Sequence, residues 1–366
     1  VLRILPPSTM IAAKDTIDRN IVPSPDGDIT FFPPKIQREE LSNGLELMLI
    51  ENNNLPLIEA TLIIKSGWTS DPINRPGACA LTADLLDEGT KRNDAMDIAE
   101  ESRNLGINIG TSSYFDATFV SFNSLKKNFG QSLDLMADLV MNATFPEKEL
   151  EHKKQEYLDR IQQENKEPLT AAIKQYYHLL YGDEHPYGQS YTGTGTKESI
   201  NALRRKDLVD FYNNNYFSNN ATILIVGDIG LKEAKMKAEQ HLNRWQPGII
   251  NSYIAPDPMP REDTEIFLID KPDASQSVIV MGNLGIKRNA KDYLSTNVMN
   301  TAFGDQFTSR LNMNLREKKG YTYETGSFFS NRKGTGLFGC YAPVETKYTI
   351  PTIKEFLKEL NDLVES

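Results

Sequence analysis

Apolar positions along the chain follow two different periods, which together predict a mixed α+β protein. Residues 45–50, 57–64 and 221–228 are rich in aliphatic and β-branched side chains, as is typical of strands. Residues 133–140 instead repeat apolar side chains at three- and four-residue spacing, which predicts a helix with one buried face. Residues 147–166 are highly charged and predict a long helix that ends near Pro168.

Proline-rich stretches divide this pattern into parts. Residues 1–40 contain six prolines with little periodicity, so we expect an extended N-terminal arm or linker. A first domain is predicted over residues 41–246 and a second, proline-marked linker over residues 247–264. A second domain is then predicted over residues 265–366, beginning with a strand over residues 265–269.

Composition narrows the classes of function that fit the chain. The 366 residues are 39% hydrophobic and carry a net charge of −10, with no basic stripe for nucleic acid. No apolar run is long enough to cross a bilayer, so we expect no membrane span. The two cysteines, Cys79 and Cys340, make neither a disulfide framework nor a metal cluster. The sequence shows no signal peptide, and both the bacterial periplasm and the cytoplasm remain open as compartments.

A short helical segment carries the most informative residues. Ala80, Ala83 and Asp84 stand between a Pro-Gly pair at residues 76–77 and a Gly-Thr pair at residues 89–90. This frame resembles the first catalytic helix of the M16 peptidases, an inverzincin family whose motif is H-x-x-E-H. In that motif, two His side chains four residues apart share a helix face and hold one zinc ion, while the Glu takes a proton from zinc-bound water.

The resemblance implies that this chain has lost the zinc chemistry. Ala80 and Asp84 occupy the His positions, and Ala83 occupies the position of the general base. The family's third ligand, a Glu on a later helix, falls on Arg160, whose cation would repel a metal. The sequence therefore predicts no catalytic residue, no metal site and no cofactor in this chain, and no enzymatic activity on its own.

A second segment resembles the part of the family that holds substrate. Residues 309–323 read S-R-L-N-M-N-L-R-E-K-K-G-Y-T-Y, similar to the family's S-R-L-x-x-x-L-R-E-K-x-G-x-x-Y. In two-part M16 peptidases one half carries the zinc and the other contributes an Arg and a Tyr from this segment. The matching residues are Arg316 and Tyr323, whose guanidinium and hydroxyl can both donate hydrogen bonds to a peptide carbonyl.

The resemblance extends over about residues 38–366 and implies a fold and a role. The fold is α+β: two M16/LuxS-metallohydrolase-like units, each a mainly antiparallel sheet with helices packed on one face, the second unit truncated. The implied role is that of a non-catalytic subunit or half that pairs with a catalytic M16 subunit or fused half, in which the zinc lies. The pair would enclose a peptide substrate. The alternative is a structural or peptide-binding scaffold with no proteolytic partner.

Overall fold

The structure, a computed structural model, describes residues 27, 30, 32–189, 191–250, 255–272 and 274–365. The chain divides into two compact units, Val1–Lys35 and Ile36–Ser366. Most of the predicted N-terminal arm lies outside the described residues, and the described residues of the first unit form neither helix nor strand. The last residues of the predicted arm differ from the expectation, since Gln37–Glu40 form a strand that pairs with the next one.

A six-stranded sheet organises residues 36–250, which we call the first lobe. Its strand order is β1-β2-β6-β3-β5-β4; the β2–β6 pair is parallel and the other pairs are antiparallel. The strands are β1 (Gln37–Glu40), β2 (Glu46–Glu51), β3 (Leu57–Ile64), β4 (Gly110–Ser113), β5 (Thr118–Leu125) and β6 (Ala221–Gly227).

Helices cover one face of this sheet. In β3, the side chains of Ile58, Ala60, Leu62 and Ile64 are buried, while those between them are more exposed, as expected when alternate residues point to opposite faces. The covering helices are α1 (Ala78–Asp84), α2 (Ala95–Leu105), α3 (Phe129–Asn142), α4 (Glu147–Lys166), α5 (Pro168–Tyr181), α6 (Pro186–Gln189), α7 (Lys197–Ala202), α8 (Arg205–Asn215) and α9 (Leu231–Leu242).

A smaller antiparallel sheet organises residues 255–365, which we call the second lobe. Its strand order is β7-β9-β8, with β7 at Gln276–Leu284, β8 at Gly326–Ser330 and β9 at Leu337–Glu345. Helices α10 (Tyr293–Asn300) and α11 (Thr349–Glu365) pack on it, together with π-helical segments at Thr301–Asp305 and Asn312–Lys318. The predicted α+β class, with mainly antiparallel sheets, is confirmed.

Two local predictions were wrong. Residues 265–269 do not form the expected strand; they are irregular and exposed because no described strand lies beside them. Asn93 does not cap α2. The cap is Asp94, whose carboxylate accepts hydrogen bonds from the backbone N–H groups of Met96 and Asp97. Among the described helices, none combines the length and the apolar character that crossing a bilayer requires.

An aromatic contact joins the two lobes. Helix α5 lies against β7, and the Tyr176 hydroxyl donates to the Phe338 carbonyl at 2.5 Å. The Arg332 guanidinium, from the loop between β8 and β9, stacks 3.6 Å from the ring centre of Phe115. The Tyr187 hydroxyl donates to the carboxylate of Asp116 in the first lobe and accepts from the N–H of Gly334 in the second. These bonds fix the orientation of the second lobe and hence of its candidate binding residues.

Candidate functional site

The frame around α1 is held by close backbone packing. Gly77, the N-cap of α1, has φ 97°, a left-handed conformation that favours glycine. A Cβ at Gly77 would lie 2.9 Å from Cδ1 of Ile200, and a Cβ at Gly89 would lie 2.9 Å from Cγ of Pro146. Both glycines are therefore required by the packing of the first lobe, whether or not the helix between them carries out chemistry.

A carboxylate caps α1 from the preceding turn. The two oxygens of Asp71 accept hydrogen bonds from the N–H groups of Gly77 at 2.7 Å and Cys79 at 2.6 Å. Burial raises the pKa of Asp71 to about 7, against the effect of these two hydrogen bonds. The helix thus keeps a built N-terminus after losing the residues that would give it chemistry.

The three altered positions of α1 serve packing and one internal hydrogen bond. Ala80 is 5% exposed, Ala83 is fully buried, and the Ala80 methyl belongs to the main hydrophobic core. Asp84 is partly buried and accepts a hydrogen bond of 2.7 Å from the Tyr157 hydroxyl of α4. Burial raises the pKa of Asp84, opposed by that hydrogen bond and by the positive charges of Lys153 and Arg160.

Arg160 lies near Asp84 and forms an ion pair with another residue. Its guanidinium lowers the pKa of Asp84 through its charge, so the structure brings this position of α4 close to α1 as the sequence predicted. Its Nε lies 3.4 Å from a carboxylate oxygen of Glu164, one helical turn further on. The other oxygen of the buried Glu164 accepts hydrogen bonds from Lys174, Thr192 and Thr194.

This set of side chains does not fit a zinc ion. Two methyl groups offer no lone pair, the Asp84 carboxylate is already engaged by Tyr157, and Arg160 brings a positive charge. In the part of the chain that the structure describes, no group of three or more His, Cys, Asp or Glu side chains is arranged to hold a metal ion. We therefore derive no metal-dependent step at this position.

Arg316 lies in the second lobe, on the π-helical segment Asn312–Lys318. Its guanidinium carbon lies 4.5 Å from the ring centre of Phe307, which is 59% exposed. Its Nε lies 3.6 Å from a carboxylate oxygen of the adjacent Glu317, a loose ion pair at the surface. The aromatic ring supports the guanidinium from one side and leaves its N–H groups able to reach a ligand.

Tyr323 follows Arg316 after a turn at Gly320, which has φ 63°. Its side chain is 89% exposed and has no hydrogen-bond partner among the described residues. The backbone around it is nevertheless fixed. The hydroxyl of Thr322 donates to the Pro343 carbonyl at 2.5 Å, and that of Thr325 donates to the Tyr341 carbonyl at 2.8 Å. A phenol is thus presented to solvent from a rigid segment.

The sequence reasoning missed two residues at these positions. Tyr157 lies one helical turn before Arg160, so the three-residue spacing on α4 could have placed it on the same face. Phe307 carried no such signal, because it reaches Arg316 from an irregular loop. The pairing of Arg316 with Tyr323 at one ligand stays a prediction, since each stands on a separate segment.

Two family models match the chain in succession. Residues 47–195 match the family described as insulinase (peptidase family M16), and residues 202–366 match the one described as peptidase M16 inactive domain. A protein of Rickettsia bellii named as an uncharacterized zinc protease is 25% identical over 304 residues, which cover 83% of this chain and 72% of that protein.

Two solved structures are similar in fold. The peptidase M16 inactive domain from Pseudomonas fluorescens superposes with a TM-score of 0.85 and 27% identity, covering 90% of this chain and 79% of that one. The periplasmic protease PqqL from Escherichia coli superposes with a TM-score of 0.71 and 15% identity. The match covers 90% of this chain but only 38% of PqqL, so more than half of PqqL lies outside the match.

Proposed function

Because the chain belongs to peptidase family M16, we propose that it is a non-catalytic subunit or half which pairs with an active zinc-peptidase half. The two would enclose a peptide substrate, with the zinc in the partner. Arg316 and Tyr323 would bind the peptide backbone and help to place the scissile bond over the partner's metal. The chain would assist cleavage without performing it.

One observation carries this proposal: every position that would supply zinc ligands or a base has a different structural use. Ala80 and Ala83 pack in the core, Asp84 binds Tyr157, and Arg160 pairs with Glu164. A single altered position would be compatible with a shifted ligand. Four altered positions, brought together as the family's site would be, favour a fold kept for reasons other than metal chemistry.

The surroundings of Arg316 and Tyr323 support the proposed binding role. A guanidinium stacked on Phe307 and a phenol on a hydrogen-bonded loop lose little conformational entropy when they bind a ligand. Neither group has a strong internal partner, since the Arg316–Glu317 contact is long and Tyr323 is almost fully exposed. Exposed polar side chains held on a rigid scaffold are typical of binding sites.

The proposed domain limits follow the comparisons and the lobes. We propose a first M16-like domain over residues 41–246, a linker over residues 247–264 and an incomplete second domain over residues 265–366. The description of the second family model as an inactive domain supports a non-catalytic role. The long unmatched part of PqqL supports the idea that a chain of this size can act as one part of a larger peptidase.

The test is a cleavage assay on the chain together with its partner. The tagged chain is purified from its native host, and co-purifying proteins are searched for an intact H-x-x-E-H motif. With that pair, we expect Arg316→Ala to lower kcat/KM by about 10- to 100-fold, as for loss of a charged hydrogen bond, and Tyr323→Phe to lower it a few-fold.

Matched controls separate binding from general damage. Arg288 also stacks on an aromatic ring of the second lobe, 3.7 Å from the centre of Tyr293, so Arg288→Ala tests the loss of a stacked surface Arg. Tyr114 is 56% exposed in the first lobe, and Tyr114→Phe should leave cleavage unchanged. Equal effects of the controls and the site variants, or a chain that pairs with no peptidase, would favour the alternative of a scaffold without a proteolytic role.

A further inference from the structure

The second lobe repeats the first at a constant separation. Strands β3 and β5 begin at residues 57 and 118, and β7 and β9 begin at residues 276 and 337, each pair 219 residues apart. The order β7-β9-β8 repeats the order β3-β5-β4. In both lobes a short 3₁₀ turn and a long helix follow the middle strand, α3 in the first and α11 in the second.

The same separation identifies the second copy of β2. Strand β2 reads Glu-Leu-Met-Leu-Ile-Glu over Glu46–Glu51, and 219 residues later the chain reads Glu-Ile-Phe-Leu-Ile-Asp over residues 265–270. The two segments agree in charge at both ends and in apolar character between them. The segment at residues 265–270 is therefore a strand sequence, although in this structure it makes no backbone hydrogen bond to any described residue.

Burial shows what the second copy lacks. Leu47 and Leu49 of β2 are both fully buried, whereas their counterparts Ile266 and Leu268 are 85% and 94% exposed. In the first lobe, β6 lies between β2 and β3, parallel to the former and antiparallel to the latter. In the second lobe, β7 pairs with β9 on one side, and no described strand pairs with its other edge. The position equivalent to β6 is thus open on both sides.

Helix α11 shows the same gap. In the first lobe α9, which follows β6 in the chain, packs on α3, and a Cβ at Gly130 of α3 would lie 3.3 Å from Nζ of Lys237. On α11, Ile350, Leu357 and Val364 recur every seven residues and are 62%, 48% and 87% exposed. Apolar residues at this spacing form one stripe, which is typical of a helix face that packs against another helix.

We propose that a strand followed by a helix, supplied by this polypeptide beyond residue 366, fills both gaps. The strand would lie between residues 265–270 and β7, parallel to the first and antiparallel to the second, and the helix would cover the apolar stripe of α11. The separation of 219 residues places this unit well after residue 366, as the counterpart of β6 and α9. The Rickettsia bellii relative is long enough to contain it, because the match takes 83% of this chain but 72% of that protein.

The segment is already held near its expected place. The guanidinium of Arg261 donates to the Leu179 carbonyl at 2.5 Å, and the Lys271 ammonium donates to the Lys166 carbonyl at 2.6 Å. Both acceptors lie on helices of the first lobe, so the segment is tied at its two ends. Only the backbone between these ties has to be ordered when the missing strand arrives, which reduces the entropy cost of pairing.

Hydrogen exchange tests the proposal on two proteins: residues 1–366, and the same chain continued as the gene encodes it beyond residue 366. In the shorter protein the amides of residues 265–270 should exchange at rates near those of unfolded peptide. In the continued protein they should slow by at least about a hundredfold, as in a paired strand. Trypsin should cut after Arg261 and Lys271 in the shorter protein and leave these bonds intact in the continued one.

A pair of variants distinguishes strand pairing from chain length alone. Ile266→Asp with Leu268→Asp should lower the melting temperature of the continued protein and abolish the protection, while leaving the 1–366 protein unchanged. The matched control is Met259→Asp, an 85% exposed residue of the same connecting region, which should change neither protein.

Three outcomes would overturn the proposal. The first is a continued protein in which residues 265–270 exchange as fast as in the shorter one, and the second is a reading frame that stops at residue 366. The third is a 1–366 protein that dimerises with protection of β7, which would assign the open edge to a second copy.

Discussion

Replacing Tyr157 by Phe tests how the altered zinc position is stabilised. The change removes only the hydroxyl that donates to the Asp84 carboxylate at 2.7 Å. Tyr157 is 5% exposed and Asp84 is partly buried, so water has little access to replace the lost donor. A hydrogen bond to a charged acceptor contributes about 1.5–3 kcal/mol, and we expect the free energy of unfolding of the first lobe to fall by about 2 kcal/mol.

Urea unfolding followed by tryptophan fluorescence measures this loss. The chain has two tryptophans, Trp68 and Trp245, and both lie in the first lobe. The midpoint should shift while the slope m stays constant, because the exposed surface does not change. Tyr212→Phe is the matched control: its hydroxyl donates to the Val140 carbonyl at 2.6 Å, a neutral hydrogen bond worth about 1 kcal/mol.

A double-mutant cycle decides whether the loss belongs to the Tyr157–Asp84 pair. With Asp84 already replaced by Ala, Tyr157→Phe should cost less than about 0.5 kcal/mol, a coupling of at least about 1 kcal/mol. Equal costs in the two backgrounds would refute the reasoning, since the hydroxyl would then stabilise the lobe without help from Asp84.

Three further outcomes are expected. Asp71→Ala, which removes the cap of α1, should lower the free energy of unfolding by about 1–2 kcal/mol in the same urea assay, and Asp71→Asn should cost less. Burial lowers the pKa of His185, so its contribution to stability is present above the unfolded pKa of about 6.5 and is lost as the pH falls towards the folded value. His185→Gln should remove this part of the pH dependence in urea unfolding between about pH 8 and 5. Ala80→His, Asp84→His and Arg160→Glu together should yield about one zinc per chain by metal analysis, and Arg160→Glu alone should yield none.

The regular elements of the first lobe could be predicted because local pattern and tertiary environment agree there. Strand β3 alternates buried and exposed side chains along Leu57–Ile64, and the charged helix at Glu147–Lys166 ends just before Pro168, as its sequence predicts. The position of the altered motif could also be read from its frame, since Gly77 and Gly89 are required by backbone packing.

Other features depend on partners that local pattern does not reveal. Residues 265–270 have the composition of a strand, and they are irregular because a strand forms only beside another strand. Strand β1 was missed for the opposite reason, since Gln37–Glu40 is polar throughout and owes its structure to pairing with β2. The contact between Tyr157 and Asp84 joins two helices 73 residues apart in sequence, which no periodicity within one helix predicts.

Peptide cleavage by the chain purified alone, with and without a zinc chelator, tests the central claim most directly. With Ala80, Ala83, Asp84 and Arg160 at the positions of the ligands and the base, we predict no cleavage that depends on metal, even after incubation with zinc. Cleavage that the chelator abolishes, and that persists when contaminating peptidases have been removed, would contradict the claim.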